Sequence, residues 1–290
     1  MSDLNLSIPA REAALLSLLD DPAPVVRTAV REALKALGRD GIDLLRGVVH
    51  AGEEPRARIA RDLLEELVGP DPAEAFLRFI RSFNYELETG SLMLDRTYFP
   101  DLEVGASCTL LDRMAKRFGE LVVPPSSGWE QCKVLNRVVF HEFGFRADNE
   151  AFINPRASFL SQVLETRRGM PLTLCLVYLL VAYRSGLDLE PISLPGRFMV
   201  GCWLDREPFY IDCYEHGVFR AAEDLREIFQ DNGYPLSDDD LRPSPVGDVL
   251  QRACRNLVNQ FRERGDFRRA AQYELFVHEF DDAHRRNARS

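Results

Sequence analysis

The stretch ETRRGMPLTLCLVYLLVAYRSGL, residues 165–187, constrains the fold more than any other part of the chain. Two arginines and a Gly-x-Pro lead into an almost unbroken apolar run from Leu172 to Tyr183. This run is too short to cross a bilayer, because a spanning helix needs about 20 apolar residues. A helix that is apolar on every side must therefore be buried in protein. The sequence predicts a central helix enclosed by the rest of the fold, and no membrane segment.

The composition is that of a globular protein with a large core. The chain has 290 residues, 46% hydrophobic and 28% charged, which suggests about two domains. The formal net charge of −10 argues against general nucleic-acid binding, which requires a basic surface. The N-terminus lacks the basic and apolar regions of a signal peptide. The six scattered cysteines show neither zinc-ligand spacing nor a disulfide framework. We expect a reduced, cytoplasmic protein without a metal ion or other cofactor.

The first 70 residues contain two similar helical segments. In PVVRTAVREALKALG, residues 24–38, the apolar positions recur at the spacing of one buried helix face. PRARIARDLLEELVG, residues 55–69, repeats this frame. The two segments resemble HEAT repeats, although stacked repeats normally need three or more units. We therefore predict a HEAT-like domain at residues 1–70 that packs on the C-terminal remainder of the chain.

The remainder divides by periodicity. Residues 71–128 indicate further helices that end at the turn-forming VVPPSSG, and residues 129–237 contain the central helix and short β-rich runs. Residues 238–290 return to helical spacing. Two helices separated at Gly265-Asp266, with the pattern Gly-Asp-Phe-x-x-Ala, are typical of a tetratricopeptide hairpin, which we expect to dock on the core. We therefore predict a core at 71–237 and a helical hairpin at 238–290.

The β-rich runs PISLPGRFMVGCWL and FYIDCY, joined by DREP, predict a hairpin. We expect Leu204 to face Phe209 and Gly201 to face Asp212. Alternation then places Asp212 on the same face as Arg197.

Several spaced motifs in residues 134–217 form a set that is more specific than any one of them. They include Leu135-Asn136, Asn154-Pro155, Arg168-Gly169, Pro195-Gly196 and Ile211-Asp212. As a set they resemble the SirB-type branch of the transglutaminase-like superfamily. The resemblance implies a mostly helical α+β fold. A papain/transglutaminase-like core with a small antiparallel sheet would be flanked by helical repeat-like segments, with a tetratricopeptide-like tail. It also suggests a bacterial protein.

Active members of this superfamily use a Cys–His–Asp triad, in which the cysteine opens a helix and the histidine follows a Pro-Gly. In this chain the helix-opening position falls at Pro171, Leu172 or Thr173, of which Thr173 is the best match. The histidine and aspartate positions match Arg197 and Asp212. Arginine stays protonated near neutral pH and cannot act as a general base. A threonine hydroxyl needs a base to become nucleophilic. The resemblance therefore implies a core that lacks two of its three catalytic groups.

Cys175 and His216 are the candidates that could rescue catalysis. Cys175 lies in the apolar run, roughly 200° around the helix from Thr173. Burial there would leave its thiol inert, so we interpret it as a core cysteine. His216 follows Asp212 by four positions and could replace the missing base, although loop histidines are mostly solvated. An amide hydrolase or acyl transferase with such a relocated triad remains an alternative.

Arg197 and Asp212 could instead form an ion pair where a histidine and an aspartate once stood. In another alternative, Arg168 and Arg197 bind an anionic small molecule in the former active-site cleft. The interpretation that we favour is a cytosolic protein-interaction or scaffolding module. Its protein partner cannot be identified from the sequence.

Overall fold

A computed structural model describes residues 8–52, 54–148, 150 and 152–288. The chain divides into two compact units, one up to Glu74 and one from Ala75 onward. The predicted class is confirmed, because the structure is mostly helical α+β with a small antiparallel sheet. In the described part of the chain, no helix is long and apolar enough to cross a membrane. Residues 1–7 of the predicted N-terminal domain lie outside the described residues.

The first unit contains helices that bury one face each. They are α1 (Ile8–Ser17), α2 (Pro24–Ala36), α3 (Arg39–Ala51) and α4 (Arg56–Val68). The two repeated segments form α2 and α4, as their apolar spacing predicts. Val30 and Leu34 of α2 pack with Leu45 and Leu63 into a core of their own. That these helices are HEAT repeats stays a prediction.

The second unit is built around one buried helix. Most of α5 (Pro72–Ser82), from Ala75 onward, belongs to this unit. Its other helices are α6 (Leu87–Arg96), α7 (Val104–Leu121), α8 (Gly128–Asn136), α9 (Leu160–Thr166), α10 (Pro171–Arg184), α11 (Ala222–Asp231), α12 (Val246–Glu263) and α13 (Phe267–Asn287). A π-helical turn, Arg137–Glu142, continues α8, and a 3-10 turn, Pro155–Ser158, precedes α9. The apolar run forms α10, and every residue from Pro171 to Ala182 is buried, which confirms the predicted central helix.

Two small sheets complete the second unit. β1 (Arg146–Ala147) and β2 (Arg168–Gly169) pair in parallel. β3 (Leu189–Leu194), β4 (Arg197–Cys202), β5 (Phe209–Asp212) and β6 (Val218–Arg220) form an antiparallel sheet in chain order. The tight turn between β3 and β4 uses Gly196 at a φ of 68°, a conformation that glycine adopts without steric cost.

The predicted register of β4 and β5 is wrong by two residues. Gly201 pairs with Tyr210 and Cys202 with Phe209, so the connection is longer than DREP. The physical reason is Asp205, whose carboxylate accepts hydrogen bonds from the first two amides of α8, Gly128 N at 2.9 Å and Trp129 N at 2.8 Å. These bonds hold the connection against α8 and away from the sheet. Because the error is an even number of residues, Asp212 keeps its predicted face.

The C-terminal hairpin of α12 and α13 docks on the core, as predicted. Arg252 of α12 reaches the turn between β3 and β4. It donates to Leu194 O at 2.8 Å and to Arg197 O at 2.9 Å, and its guanidinium lies 5.5 Å from the Phe198 ring centre. These carbonyls flank the Pro195-Gly196 turn, so one side chain fixes both ends of it. Whether the hairpin is a tetratricopeptide unit stays a prediction.

A buried carboxylate fixes the approach to the central helix. Asp95 at the end of α6 is 1% exposed. Its Oδ1 accepts from Leu160 N at 3.1 Å and its Oδ2 from Ser161 N at 2.5 Å. These are the first amides of α9, which would otherwise lack partners. Burial raises the pKa of Asp95 to about 7, although the hydrogen bonds from Ser161 and Leu160 oppose that rise.

We predict that the free energy of unfolding falls as the pH rises from about 4 to about 7. The folded-state pKa of Asp95 is about 7 and its ordinary value is 3.8, so in this window the folded chain holds a proton that the unfolded chain releases. The loss should reach up to about 4 kcal/mol. Urea denaturation across this range should show a smaller pH dependence for Asp95→Asn than for the wild type. Asp266→Asn, which alters an exposed cap on α13, is the matched control. Equal pH dependence in the Asp95→Asn variant and the wild type would contradict the assignment.

Candidate functional site

The position that matches the catalytic aspartate is a buried structural carboxylate. Asp212 ends β5 and is fully buried. Its Oδ1 accepts from Tyr214 N at 3.0 Å and from Glu215 N at 3.2 Å, which shapes the turn after the strand. Its Oδ2 lies 3.4 Å from Arg197 Nε, so the structure contains the ion pair that the sequence suggests.

Arg197 belongs to a network of four charges. Its Nη2 donates to Glu215 Oε1 at 2.7 Å, and Arg220 Nη2 donates to Glu215 Oε2 at 2.5 Å. The Arg197 side chain is 26% exposed, whereas Asp212 is enclosed. Burial raises the pKa of Asp212, and the neighbouring Arg197 guanidinium counteracts the rise. The position that matches the catalytic histidine therefore holds a fixed cation that cannot accept a proton.

Thr173, at the position that matches the nucleophile, is fully buried. It stands in the first turn of α10, and its Oγ1 donates to Ala157 O at 2.8 Å. The hydroxyl thereby ties α10 to the 3-10 turn. A side chain committed to a carbonyl and shielded from solvent is a structural group, and a substrate has no direct path to it.

The start of α10 is covered by polar side chains from α12. Ser158 Oγ donates to Gln260 Oε1 at 2.7 Å and lies 2.9 Å from the sulfur of Met170, the residue just before α10. Asn256 Nδ2 approaches the same sulfur at 3.5 Å. The helical hairpin thus lies over the place where the superfamily has its nucleophile.

Sequence reasoning missed this cover, although one signal was present. Arg252, Asn256 and Gln260 succeed one another at four-residue spacing along α12. Polar residues at this spacing lie on one face of the helix, next to apolar residues that the core buries. Such a row indicates that the polar side chains form hydrogen bonds to another element. The sequence does not identify that element, because the hydrogen-bond partners of these side chains lie about 60 to 100 residues away in the chain.

The candidates for a relocated triad do not come together. Cys175 is fully buried, and its Sγ donates to Phe198 O at 3.4 Å. His216 is exposed, has a φ of 56°, and packs its ring 6.2 Å from that of Phe140. Within the described residues, no hydrogen bond joins His216 to Asp212, Thr173 or Cys175.

Arg168, the other candidate for anion binding, lies on a different sheet from Arg197. Its side chain is exposed, and its strand pairs with Arg146. In the part of the chain that the structure describes, no three His, Cys, Asp or Glu side chains are placed to hold a metal ion.

We predict that Arg197 and Asp212 are energetically coupled. Arg197→Ala should lower the free energy of unfolding by about 3 kcal/mol, because it leaves a buried carboxylate without its nearest counter-charge. Adding Asp212→Asn should cost less than the sum of the single changes, with a coupling of about 1–3 kcal/mol. Urea denaturation of the four proteins measures this coupling. Arg206→Ala, in an exposed loop, is the control and should change stability by less than about 0.5 kcal/mol. If the effects of the two single changes simply add, the ion pair does not contribute to stability.

We also predict slow alkylation of Cys175. In the folded protein its thiol should react at least about a hundredfold more slowly than in urea, because reagent reaches it only when the core opens. Mass spectrometry of alkylated peptides measures each site separately. Cys108, which is partly exposed on α7, is the accessible control. Fast, pH-dependent reaction of Cys175 would instead support a displaced nucleophile.

Comparison with known proteins agrees with this architecture. The transglutaminase-like superfamily profile matches residues 106–255, slightly more than half of the chain. A UPF0162 protein of Xylella fastidiosa strain 9a5c is 30% identical over 192 residues, which cover 64% of this chain and 68% of the relative. A UPF0162 protein of Pseudomonas aeruginosa is 28% identical over 64% of this chain and 69% of its own.

A relative of a different kind covers less of its own length. F-box only protein 21 of Mus musculus is 28% identical over 139 residues, which are 45% of this chain and 22% of that protein. No solved structure matches the chain significantly. The extent of the profile match, together with the helix and sheet that carry Thr173, Arg197 and Asp212, shows that this chain belongs to the transglutaminase-like superfamily.

Proposed function

We propose that this protein is a non-catalytic, SirB-type member of the superfamily and acts in the cytoplasm as a protein-interaction or scaffolding module. The observation that carries the proposal is Arg197. A guanidinium held by Asp212 and Glu215 occupies the position where the superfamily's chemistry requires an imidazole. Acyl transfer needs a group there that accepts a proton and later returns it. Arginine performs neither step near neutral pH.

The surroundings of Arg197 support the same proposal. Thr173 is buried and bonded to Ala157 O, and α12 lies over the start of α10 through Ser158 and Gln260. For a substrate to reach Thr173, the position that matches the superfamily's nucleophile, the C-terminal hairpin would have to move away from the core. That movement would also break both bonds from Arg252 to the turn between β3 and β4.

The scaffolding role is supported by the setting of the core. The chain combines it with helical segments that resemble HEAT and tetratricopeptide repeats, two repeat types that commonly form protein-binding surfaces. In F-box only protein 21 the similar region is 22% of a longer chain, so this region also occurs joined to other segments. Because a fold does not by itself define a function, the scaffolding role requires a binding experiment.

We predict that the intact protein has no thiol-dependent hydrolase or acyl-transferase activity. With amide and thioester substrates, the wild type, Cys175→Ala and Thr173→Val should all match a protein-free blank. Turnover that Cys175→Ala or Thr173→Val abolishes would overturn the non-catalytic proposal.

The scaffolding proposal has its own test. The intact chain, immobilised as bait, should retain a protein partner in stoichiometric amount, and Cys175→Ala should retain it equally well. The background control is immobilised bait that urea has unfolded and that stays unfolded when the urea is exchanged for buffer. Failure of the folded bait to retain any protein above this background would reject the scaffolding role and leave the activity result untouched.

A further inference from the structure

An exposed pair of arginines lies where β1 pairs with β2. Arg146 and Arg168 are partners in this parallel ladder, and both side chains are exposed. Paired positions of neighbouring strands lie about 4.8 Å apart, and their side chains stand on the same face of the sheet. Like charges at such positions repel each other. A bound anion would relieve this repulsion.

Arg167 adds a third cation next to this pair. Its carbonyl oxygen accepts a hydrogen bond from Arg146 N at 2.9 Å, and its guanidinium lies 4.9 Å from the centre of the Phe145 ring. Arg167 is partly exposed, but its Nη1 is buried and, among the described residues, has no hydrogen-bond partner. Burial lowers the pKa of Arg167, and the positive charge of Arg113 lowers it too. We refer to Arg146, Arg167 and Arg168 as the arginine surface.

The acidic side chains near the arginine surface are bound elsewhere. Within the described part of the chain, no carboxylate forms an ion pair with any of its three arginines. Glu142 precedes Arg146 by four positions. Its carboxylate already accepts hydrogen bonds from Arg117 Nε at 2.6 Å and from Arg137 Nε at 2.9 Å. The arginine surface thus carries positive charge that these residues do not balance.

The charge of the whole chain restricts which partner fits this surface. The chain has 36 basic residues (lysine and arginine) and 46 acidic ones, a formal net charge of −10. Such a chain repels an acidic partner in general and attracts it at a local cluster of arginines, which fixes where the partner binds. Guanidinium groups bind carboxylates through two parallel hydrogen bonds, a geometry that lysine does not offer.

The surroundings of the arginine surface favour a protein partner over nucleic acid. Proteins that bind single-stranded nucleic acid combine basic side chains with aromatic rings on which bases stack. The ring beside this surface, Phe145, is fully buried, and the Arg167 guanidinium lies against it. Carboxylates of an acidic protein segment need no such ring.

We propose that the arginine surface binds an acidic segment of a partner protein, whose carboxylates accept hydrogen bonds from its guanidinium groups. This inference rests on the protein-interaction role proposed above and specifies the binding surface and the chemistry of the partner. Arg197 is not part of the surface, because it lies in the other sheet and is bound to Asp212 and Glu215. The binding surface is therefore separate from the former catalytic position.

The first experiment measures the affinity of the intact chain for a fluorescent peptide of twelve residues in which glutamate alternates with glycine. The matched probe has glutamine in place of every glutamate. The glutamate probe should bind at least about tenfold more tightly than the glutamine probe, and its affinity should fall as sodium chloride is added. No binding of the glutamate probe, equal binding of the two probes, or tighter binding of a single-stranded oligouridylate would overturn the proposal.

Single substitutions locate the binding site. Arg146→Gln and Arg168→Gln should each weaken binding of the glutamate probe roughly tenfold, since each removes hydrogen bonds from a charged donor. Arg206→Gln, the same charge change in the exposed loop between β4 and β5, is the matched control and should change the affinity less than about twofold. An equal loss in all three variants would show an effect of net charge alone and would overturn the assignment.

Arg167→Met distinguishes binding from a structural role. Methionine keeps an apolar contact with Phe145 and removes a charge that has no carboxylate partner among the described residues. The variant should bind the glutamate probe roughly tenfold more weakly, while its midpoint of urea unfolding is no lower than that of the wild type. A lower midpoint with unchanged probe binding would show that Arg167 is structural and would overturn its place in the surface.

A pull-down separates this inference from the scaffolding proposal. The partner that the immobilised wild-type chain retains should be lost from bait that carries Arg146→Gln together with Arg168→Gln. If this double variant retains the partner fully, the scaffolding role stands and the arginine surface is rejected. Failure of the wild-type bait to retain any protein rejects the scaffolding role alone, because binding of the glutamate probe is measured without that partner.

Discussion

The burial of α10 on all of its sides is the constraint on which the second unit depends. From Pro171 to Ala182 each residue is shielded, so the surrounding elements must together enclose a complete cylinder of side chains. Each large apolar side chain buried there contributes about 1.5–3 kcal/mol to the free energy of unfolding. No single neighbouring element can bury all sides of the helix. The sheet, α7, α9 and the C-terminal hairpin are held by this shared requirement. Polar links such as Asp95 to α9 and Arg252 to the sheet turn then fix their orientation.

The replacement of an imidazole by a guanidinium changes what the neighbouring aspartate does. In a triad, an aspartate orients a histidine that gains and loses a proton. Asp212 instead balances a permanent charge on Arg197 and shapes a turn through two backbone amides. The same geometry of strand and side chain that supports catalysis in one case supports a static ion-pair network in the other.

Prediction succeeded where the signal is local. The apolar run gives α10, the spacing of Val30 and Leu34 gives an amphipathic helix, and Gly265-Asp266 separates α12 from α13. It failed where a distant group intervenes. The register of β4 and β5 shifted by two residues because Asp205 binds amides at the start of α8, more than 70 positions away in the chain. At the site, Arg197 and Asp212 were identified from their motif positions, but Glu215 and Arg220 were not, since they carry no motif.

The sequence by itself determined that one helix is enclosed and that the chain combines helices with a small β-rich segment. These properties are written in residue type and spacing, so they do not depend on how distant segments meet. Only the tertiary structure decided that Thr173 donates its hydroxyl to Ala157, that α12 covers the start of α10, and that Arg252 reaches the turn between β3 and β4. Such contacts depend on packing between segments far apart in the chain. Their partners are selected by shape and by the need to satisfy buried polar groups.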